Sequence, residues 1–214
     1  DRGRTRLPMF QRITSQRAMG IGPVLAFADP TLDLSSALRL GWYLGTAEID
    51  LPTVMAEIVR DVIARSGCDR VFLQGGSGGG FAAIATGIHV PGSVAVAFSP
   101  QTDVRAYSAT FVKECLAAAF PVGPFVGDGP PSARLSLMTR METFGHIPQI
   151  ELITNSGDEF HLKGHAAPLI EYLAARDADV LSVTEFDLGP GHRTPDNNAY
   201  YQIMRDIYAK HHTS

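Results

Sequence analysis

The feature that most constrains the fold of this chain is a glycine-rich turn that joins a short apolar segment to a run of small residues. The turn is Gly75-Gly76-Ser77-Gly78-Gly79; Val71-Phe72-Leu73 precede it and Phe81-Ala82-Ala83-Ile84 follow it. The apolar segment predicts a buried strand, the small residues predict a helix, and the G-x-S-x-G spacing is typical of a nucleophile elbow. Glycines suit such a turn because they tolerate strained backbone angles and a close approach of the flanking chain.

Two other glycine-rich motifs bind phosphate groups at the same kind of strand-to-helix turn. A Walker loop is disfavoured because the sequence lacks its G-K-[ST] ending, and G-x-G-x-x-G would need glycine where Phe81 stands. A tight turn with a passive serine remains the alternative. In an elbow, the start of the next helix lies near the serine oxygen, and its N–H groups and dipole favour a developing negative charge. We therefore predict that Ser77 is a nucleophile.

Length and composition predict a single domain without a nucleic-acid partner. The chain has 214 residues, of which 45% are hydrophobic and 19% charged, enough for one large core. The formal net charge of −4 argues against nucleic acid as the main partner, and no apolar run is long enough for a membrane span. Cys68 and Cys115 lack metal-site spacing, so we expect two free thiols and leave the compartment open, with the cytoplasm favoured.

The N-terminal region is rich in arginine, and we predict that residues 1–22 form a basic leader or the remnant of an upstream strand. Residues 1–17 contain one acidic residue and five arginines, namely Arg2, Arg4, Arg6, Arg12 and Arg17. A solvated leader is the expected state, and contact with an anionic ligand is the alternative. Because the chain starts at Asp1 rather than at methionine, we expect a fragment or a processed form, with a possible upstream domain.

From residue 23 onward, apolar runs that predict strands alternate with stretches that predict helices. Besides the elbow strand, the predicted strands cover residues 23–28, 94–98, 149–154 and 180–186. Besides the helix after the elbow, the predicted helices cover residues 52–66, 165–175 and 197–211. This alternation indicates βαβ units, so we predict an α/β domain over residues 23–214, with a mainly parallel sheet flanked by helices.

Two segments depart from this alternation. Residues 101–147 are too long for a plain connection and contain helical pieces and a Pro/Gly-rich run, so we predict a cap inserted after the strand at 94–98. The loop before the first long helix contains Trp42 and Tyr43, flanked by glycines. This pair either packs onto the core or forms one wall of a substrate pocket, and it supplies our candidate substrate-binding residues.

A nucleophilic serine needs a histidine as general base and a third group that fixes the histidine tautomer. In a parallel sheet, these partners are expected in loops at the carboxyl ends of later strands. His192 fits the role of base because it lies in a Gly/Pro turn between a predicted buried strand and the last helix. His161 and His165, in the neighbouring loop, are the alternatives.

The orienting acid is expected in the loop after the strand at 149–154. Asp158 fits because it follows a glycine that permits a sharp turn; Glu159 beside it and Asp103, after the strand at 94–98, are alternatives. Asp158, Glu159 and His161 carry metal-binding side chains as well, but no second ligand cluster supports a metal site. We expect neither a metal nor an organic cofactor.

The chain order of serine, acid and histidine, each after a later strand, resembles the α/β-hydrolase superfamily over about residues 23–212. The resemblance implies that Ser77 is the nucleophile, Asp158 the orienting acid and His192 the general base. It further implies that the backbone N–H of Gly78 is one oxyanion donor. The implied activity is that of a serine esterase, which cleaves a small-molecule or polymer-linked acyl ester through a covalent acyl–serine.

One departure from the family concerns the second oxyanion donor. In that family two strands usually precede the elbow strand, and the earlier of the two leads into this donor. In this chain only residues 23–28 form a clear strand pattern, so the other strand is missing, is formed by residues 7–14, or lies upstream of Asp1. A missing donor would lower the rate about 10²–10³-fold.

The expected reaction is therefore hydrolysis of a carboxylic ester, with two alternatives. An acyltransferase would use the same triad and exclude water with the cap. A catalytically silent or accessory domain of a larger protein would bind a polymer or a partner. Apolar cap residues favour a partly apolar pocket, although an apolar helix face packed on the core predicts the same pattern: Phe111, Leu116, Phe120 and Phe125.

Overall fold

A parallel sheet of four short strands lies at the centre of the computed structural model, which describes residues 8, 10, 12–121 and 132–212. The strands are β1 (Phe72–Gly76), β2 (Val94–Phe98), β3 (Gln149–Asn155) and β4 (Leu181–Phe186). They lie side by side in chain order, and every neighbouring pair is parallel. The prediction of an α/β fold with a parallel sheet flanked by helices is confirmed.

Helices connect the strands and cover the sheet. They are α1 (Ile13–Met19), α2 (Leu51–Ser66), α3 (Gly78–Gly87), α4 (Ala109–Ala119), α5 (Ser132–Leu135), α6 (Leu137–Phe144), α7 (Glu159–His161), α8 (Ala167–Ala174) and α9 (Asn197–His212). Short 3-10 helices span Pro30–Leu34 and Val104–Ala106, and a π-helical turn spans Leu162–Ala166. Within the described ranges, no helix has both the length and the apolar character needed to cross a bilayer.

The alternation of side chains along β2 divides the core into two layers. Ala95 and Ala97 belong to a cluster with apolar side chains of α3, α4, α6 and α8. Val94 and Val96 belong to a second cluster with the apolar side chains of α9. All five residues of β2 are buried because helices cover both faces of this strand, which explains its uninterrupted apolar sequence.

The helix after the elbow is rich in small residues because it packs closely against the sheet. Residues 80–87 of α3 are all buried. A Cβ atom added at Gly80 would lie 2.9 Å from the Cβ of Pro100, and one added at Gly87 would lie 3.2 Å from that of Pro148. The small residues therefore allow α3 to begin directly at the carboxyl end of β1, where the site lies.

The prediction of a strand at residues 23–28 is wrong, because this segment makes no ladder with β1. The side chains of Val24 and Leu25 are 39% and 48% exposed, and Phe27 packs partly buried against α2. The carbonyl oxygen of Phe27 accepts a hydrogen bond of 3.1 Å from the hydroxyl of Tyr43 instead of one from a neighbouring strand. The segment is therefore held by side-chain contacts and not by strand pairing.

Residues 7, 9 and 11 of the proposed upstream strand at residues 7–14 lie outside the described residues. Ile13 and Thr14 are described, and both belong to α1. This helix contacts α9: the side-chain amide of Gln16 hydrogen-bonds the hydroxyl of Tyr200, and the hydroxyl of Tyr208 donates to the amide oxygen of Gln16. The end of the predicted leader therefore packs on the helix that closes the domain.

The segment after β2 is anchored in the same core as the sheet. Cys115 of α4, Leu135 of α5 and Met141 of α6 are buried in the cluster shared with Ala95 and α3. Residues 122–131, including most of the Pro/Gly-rich run and Phe125, lie outside the described residues. The described parts of residues 101–147 therefore cover one face of the sheet.

We predict that Gly75→Ala lowers the free energy of unfolding by about 3 kcal/mol, the upper end of the usual cost of overpacking. A Cβ at Gly75 would overlap the backbone carbonyl of Gly79, which has no room to move because it belongs to the first turn of α3. The measurement is urea unfolding of the wild type and the variant.

Gly79→Ala is the matched control, because a Cβ at this position meets no atom within 4 Å. Alanine also has the higher helix propensity, so we expect stability to be unchanged or raised by up to about 1 kcal/mol. Equal stability of both variants would show that β1 and α3 are not in close contact.

Candidate active site

Ser77 occupies the sharp turn between β1 and α3 in a backbone conformation that is rare for a residue with a side chain. Its φ and ψ are 54° and −121°. Its N–H donates to the carbonyl of Phe98 (2.9 Å), and its own carbonyl accepts from the N–H groups of Gly80 (3.0 Å) and Phe81 (3.1 Å). Backbone strain of this kind costs about 1–3 kcal/mol and persists only where surrounding contacts enforce it, as these hydrogen bonds do.

The side chain of Ser77 contacts the side-chain amide of Gln101, the third residue after β2. The distance from Gln101 Nε2 to Ser77 Oγ is 2.9 Å, and that from Oε1 to the same oxygen is 3.3 Å. Gln101 is completely buried. Sequence reasoning missed it because an amide has no charge and belongs to no motif, although its position at the carboxyl end of a strand was a usable signal.

Two further contacts define the orientation of the Gln101 amide. Its Oε1 lies 3.1 Å from Nε1 of Trp42, and because an indole nitrogen can only donate, Oε1 must be the acceptor. The amide nitrogen then faces Ser77 and also lies 2.7 Å from Nε2 of His161. This assignment makes Nε2 of His161 an acceptor, so its proton is on Nδ1.

The carboxylate of Asp158 is buried, and two imidazole rings lie close to the same one of its oxygens. Its Oδ2 lies 2.7 Å from Nδ1 of His192 and 2.8 Å from Nδ1 of His161. The contact with His192 has hydrogen-bond geometry, whereas Nδ1 of His161 is close but poorly aligned. The two rings stack with centroids 4.0 Å apart. Asp158 also begins α7, where its other oxygen accepts from the N–H of His161 (3.3 Å).

The charges in this group follow from burial. Burial alone would raise the pKa of Asp158, but the contacts with His161 and His192 outweigh it and hold the pKa below its usual value. Burial lowers the pKa of His161, and the opposing effect of Asp158 does not restore it. At neutral pH, Asp158 is therefore an anion and His161 is neutral.

His192 lies on a loop that is fixed by hydrogen bonds to the end of β3 and to the loop of Asp158. The side-chain amide of Asn155, the last residue of β3, donates to the carbonyls of Gly189 (2.9 Å) and Gly191 (2.8 Å). The N–H of Gly191 donates to the carbonyl of Gly157 (2.8 Å). These bonds join the loop of His192 to the loop of Asp158. Sequence reasoning missed Asn155, although it too stands at a strand end.

The imidazole of His192 is the more accessible of the pair. Its side chain is 36% exposed, compared with 6% for His161. Nδ1 is engaged by Asp158, and within the described residues neither histidine hydrogen-bonds Ser77 directly. The unbroken series of contacts from Asp158 to Ser77 runs through His161 and Gln101.

The other predicted site residues lie in several different environments. Trp42 is completely buried in the core and reaches the site through its contact with Gln101. The N–H of Tyr43 donates to Asp29 (3.0 Å).

Among the residues that the structure describes, the alternative acids do not contact a histidine. Asp103 pairs with Arg105 (2.6 Å), and Glu159 pairs with Lys163 on the surface (2.7 Å). His165 is buried and its Nδ1 accepts from the N–H of Thr102 (3.2 Å), away from Ser77.

Three side chains have the right type and spacing to hold a metal ion. One ligand atom each from Asp158, His161 and His192 lies within 4.8 Å of the others. The group differs from the set considered from sequence, because Glu159 points to Lys163 and His192 takes its place. In the described structure Nδ1 of each histidine lies within 2.8 Å of the same carboxylate oxygen of Asp158, and only His192 has hydrogen-bond geometry there.

The fold is similar to that of an enzyme that transfers acetyl groups. The capsule O-acetyltransferase of Neisseria meningitidis serogroup A, as a histidine-to-alanine mutant in complex with CoA, matches with a TM-score of 0.58 and 17% identity, over 79% of this chain and 69% of that chain. The same enzyme without a stated ligand matches with a TM-score of 0.53 and 16% identity, over 80% and 69%. No known protein family and no curated protein matches the sequence.

These neighbours correct the resemblance to serine esterases of the α/β-hydrolase superfamily. Solved structures that share the fold include capsule O-acetyltransferases, and the expectation of a hydrolase and carboxylesterase is wrong in this respect. The physical reason is that the elbow motif specifies a placed serine oxygen and does not specify what finally accepts the acyl group. Water and a hydroxyl compound can each attack an acyl–serine, and no residue of the motif distinguishes them.

We predict that the fold loses stability as the pH falls below about 6.5, and that His165 contributes. Burial, followed by repulsion from His161, lowers the pKa of His165 from 6.5 to about 4. Between these values the unfolded chain binds a proton that the folded chain does not, so stability rises with pH in this window and is lost as the pH falls through it. The difference corresponds to about 3 kcal/mol.

The measurement is urea unfolding at several pH values from 7.5 to 4.5. The variant His165→Gln keeps an acceptor for the N–H of Thr102 and removes the titrating group. Its loss of stability over this range should be smaller than that of the wild type by up to about 3 kcal/mol. Parallel curves for the two proteins would contradict the prediction.

Proposed function

We propose that this protein is an acyltransferase that carries an acyl group on Ser77 and delivers it to a hydroxyl of a small-molecule or polymer-linked acceptor. The observation that carries the proposal is the strained conformation of Ser77 at the end of β1, with φ of 54°. Its side chain is connected through Gln101 and His161 to the buried carboxylate of Asp158, which also contacts the accessible imidazole of His192. Strain of this kind is typical of positions where the chain holds a reacting group in place.

In the proposed first step, Oγ of Ser77 attacks the carbonyl carbon of the acyl donor and gives its proton to Nε2 of His192. Asp158 holds Nδ1–H of that imidazole (2.7 Å) and stabilises its charged form. The N–H of Gly78 has no acceptor inside α3, since it belongs to the first turn, and it would donate to the carbonyl oxygen as that oxygen gains charge. His192 then returns the proton to the leaving group.

In the second step, the acceptor hydroxyl gives its proton to His192 and its oxygen attacks the acyl–serine. The same groups act in the reverse order, and Ser77 recovers its proton when the product leaves. His192 has to approach Ser77 directly in both steps. Of the two histidines on Asp158, His192 is suited to this role because its side chain is the more exposed.

The choice of transfer over hydrolysis is supported by the fold and by the segment after β2. The structural neighbours include O-acetyltransferases, and one of these is a complex with CoA, so a CoA thioester is the donor to test first. We propose that residues 101–147 act as a cap that limits access of water. Phe111, Leu116 and Phe120 of this segment pack partly buried against the core, which gives the cap an apolar inner side.

We predict that Ser77→Ala abolishes acyl transfer, with a loss of at least about 10⁴-fold, because no other group can carry the acyl chain. The measurement is formation of an acyl–enzyme from acetyl-CoA by intact-protein mass spectrometry, with the modified peptide identified. Ser66→Ala, at the exposed end of α2 before β1, is the control and should leave the reaction unchanged.

Product partition then separates the possible functions. A transferase gives the acetyl ester of an added alcohol or sugar in excess over free acetate, and acetate alone would contradict the proposal. Fluorophosphonate labelling tests the remaining alternative. A silent binding domain would leave Ser77 unlabelled, whereas the proposed enzyme is labelled at Ser77 alone.

We predict that His192→Gln lowers the rate of Ser77 acylation about 10²–10⁴-fold, the usual contribution of a general base. Glutamine retains a polar side chain of similar length, so the loop that Asn155 fixes should keep its structure. The measurement is stopped-flow acylation together with a melting curve. An unchanged acylation rate would remove His192 from the mechanism.

A further inference from the structure

The buried amide of Gln101 is not needed by a serine–histidine–aspartate triad, yet it contacts the reacting oxygen. We propose that Gln101 Nε2 is the second hydrogen-bond donor to the oxyanion that forms on Ser77, with Trp42 and His161 as positioning residues. The inference rests on the proposed acyl transfer, and it supplies a second donor besides the N–H of Gly78.

The amide of Gln101 is held in one orientation. Its oxygen accepts from Nε1 of Trp42 (3.1 Å), a group that can only donate. Its nitrogen therefore faces Ser77 (2.9 Å) and His161 (2.7 Å). Gln101 and Trp42 are both completely buried, so water does not compete for these bonds. A donor that is oriented before the reaction costs no reorganisation when charge develops.

His161 is suited to hold this amide rather than to take the serine proton. Its Nε2 is occupied by the amide of Gln101, and its Nδ1 lies on Asp158. The ring is 6% exposed and stacks on His192. A neutral, enclosed imidazole whose Nε2 already contacts the amide of Gln101 can anchor this amide without entering the proton transfer.

In the loop after residues 23–28, three backbone donors are in use. Residues 23–28 lead into Asp29, whose carboxylate accepts the backbone N–H of Thr31 (3.0 Å) and that of Tyr43 (3.0 Å). The N–H of Leu32 bonds to the carbonyl of Asp29 (3.2 Å). These three backbone donors are therefore already engaged inside the loop.

In the acylation step, Gln101 acts only as a hydrogen-bond donor. The bond from Oγ to the carbonyl carbon forms, the carbonyl π electrons move to its oxygen, and the proton of Ser77 goes to His192. The new oxyanion is attached to the same carbon as Oγ, so an amide N–H that reaches Oγ is near it. The N–H of Gly78, from the end of β1, and Nε2 of Gln101, from the end of β2, approach from adjacent strands.

The test uses Gln101→Met, which keeps the length of the side chain and removes both N–H donors. We expect the acylation rate with acetyl-CoA to fall about 10²–10³-fold, the usual effect of losing one oxyanion donor. The KM should change less than about threefold, because the donor acts only as charge develops. Affinity for a boronic acid, which forms a tetrahedral adduct on Ser77, should fall in parallel with the rate.

Two further variants keep the test valid if Gln101→Met does not fold. Gln101→Asn retains the amide but shortens the side chain by one methylene, so the amide lies further from Ser77. We expect the acylation rate to fall at least about tenfold. Trp42→Phe leaves Gln101 in place but frees its orientation, and it should lower the rate constant of acylation with little change in KM, which a general loss of structure would not do.

Wild-type acylation together with a normal rate in Gln101→Met would overturn this inference and leave the proposed function standing. Absence of an acyl–serine in the wild type would overturn the proposed function and this inference with it. A large effect of Gln101→Met on KM alone would assign the residue to ground-state binding and would also overturn its role as an oxyanion donor.

Discussion

The close contact between the end of β1 and the first turn of α3 is the constraint on which the rest of the site depends. Gly75 has no room for a Cβ against the carbonyl of Gly79, and Gly80 has little against Pro100. This contact forces Ser77 into its strained conformation and directs its oxygen toward the carboxyl ends of β2 and β3. The amide of Gln101 and the loop of Asp158 reach the site from those two strand ends.

Much of the fold followed from residue patterns because burial on both faces makes a parallel strand uniformly apolar. Residues 94–98 coincide with β2, whose every side chain is buried. The same pattern failed at residues 23–28, where Val24 and Leu25 remain exposed. Apolar residues permit a strand, but a strand also needs backbone hydrogen bonds to a neighbouring strand, and the apolar pattern does not show whether these form.

The site could be predicted where its chemistry requires charge or titration. Asp158 and His192 stand at strand ends far apart in sequence, and the structure brings them to 2.7 Å of each other. Gln101 and Asn155 occupy equivalent strand ends but were missed, because a buried amide has no distinctive chemistry until its partners are known. Trp42 was singled out as a possible pocket wall, and its one polar atom instead fixes the amide of Gln101.

Two imidazoles on one carboxylate raise the question of how a single anion can serve both. If both rings were protonated, one negative charge would face two positive charges at a separation of 4.0 Å between ring centroids. Burial resolves the conflict by lowering the pKa of His161, to which the proximity of His192 also contributes. His161 stays neutral and acts as an acceptor for Gln101. The negative charge of Asp158 therefore has to stabilise only one imidazolium, that of His192, whose exposed side chain is accessible to a substrate. The two histidines are therefore inequivalent because of their depth in the fold, although they share the same partner.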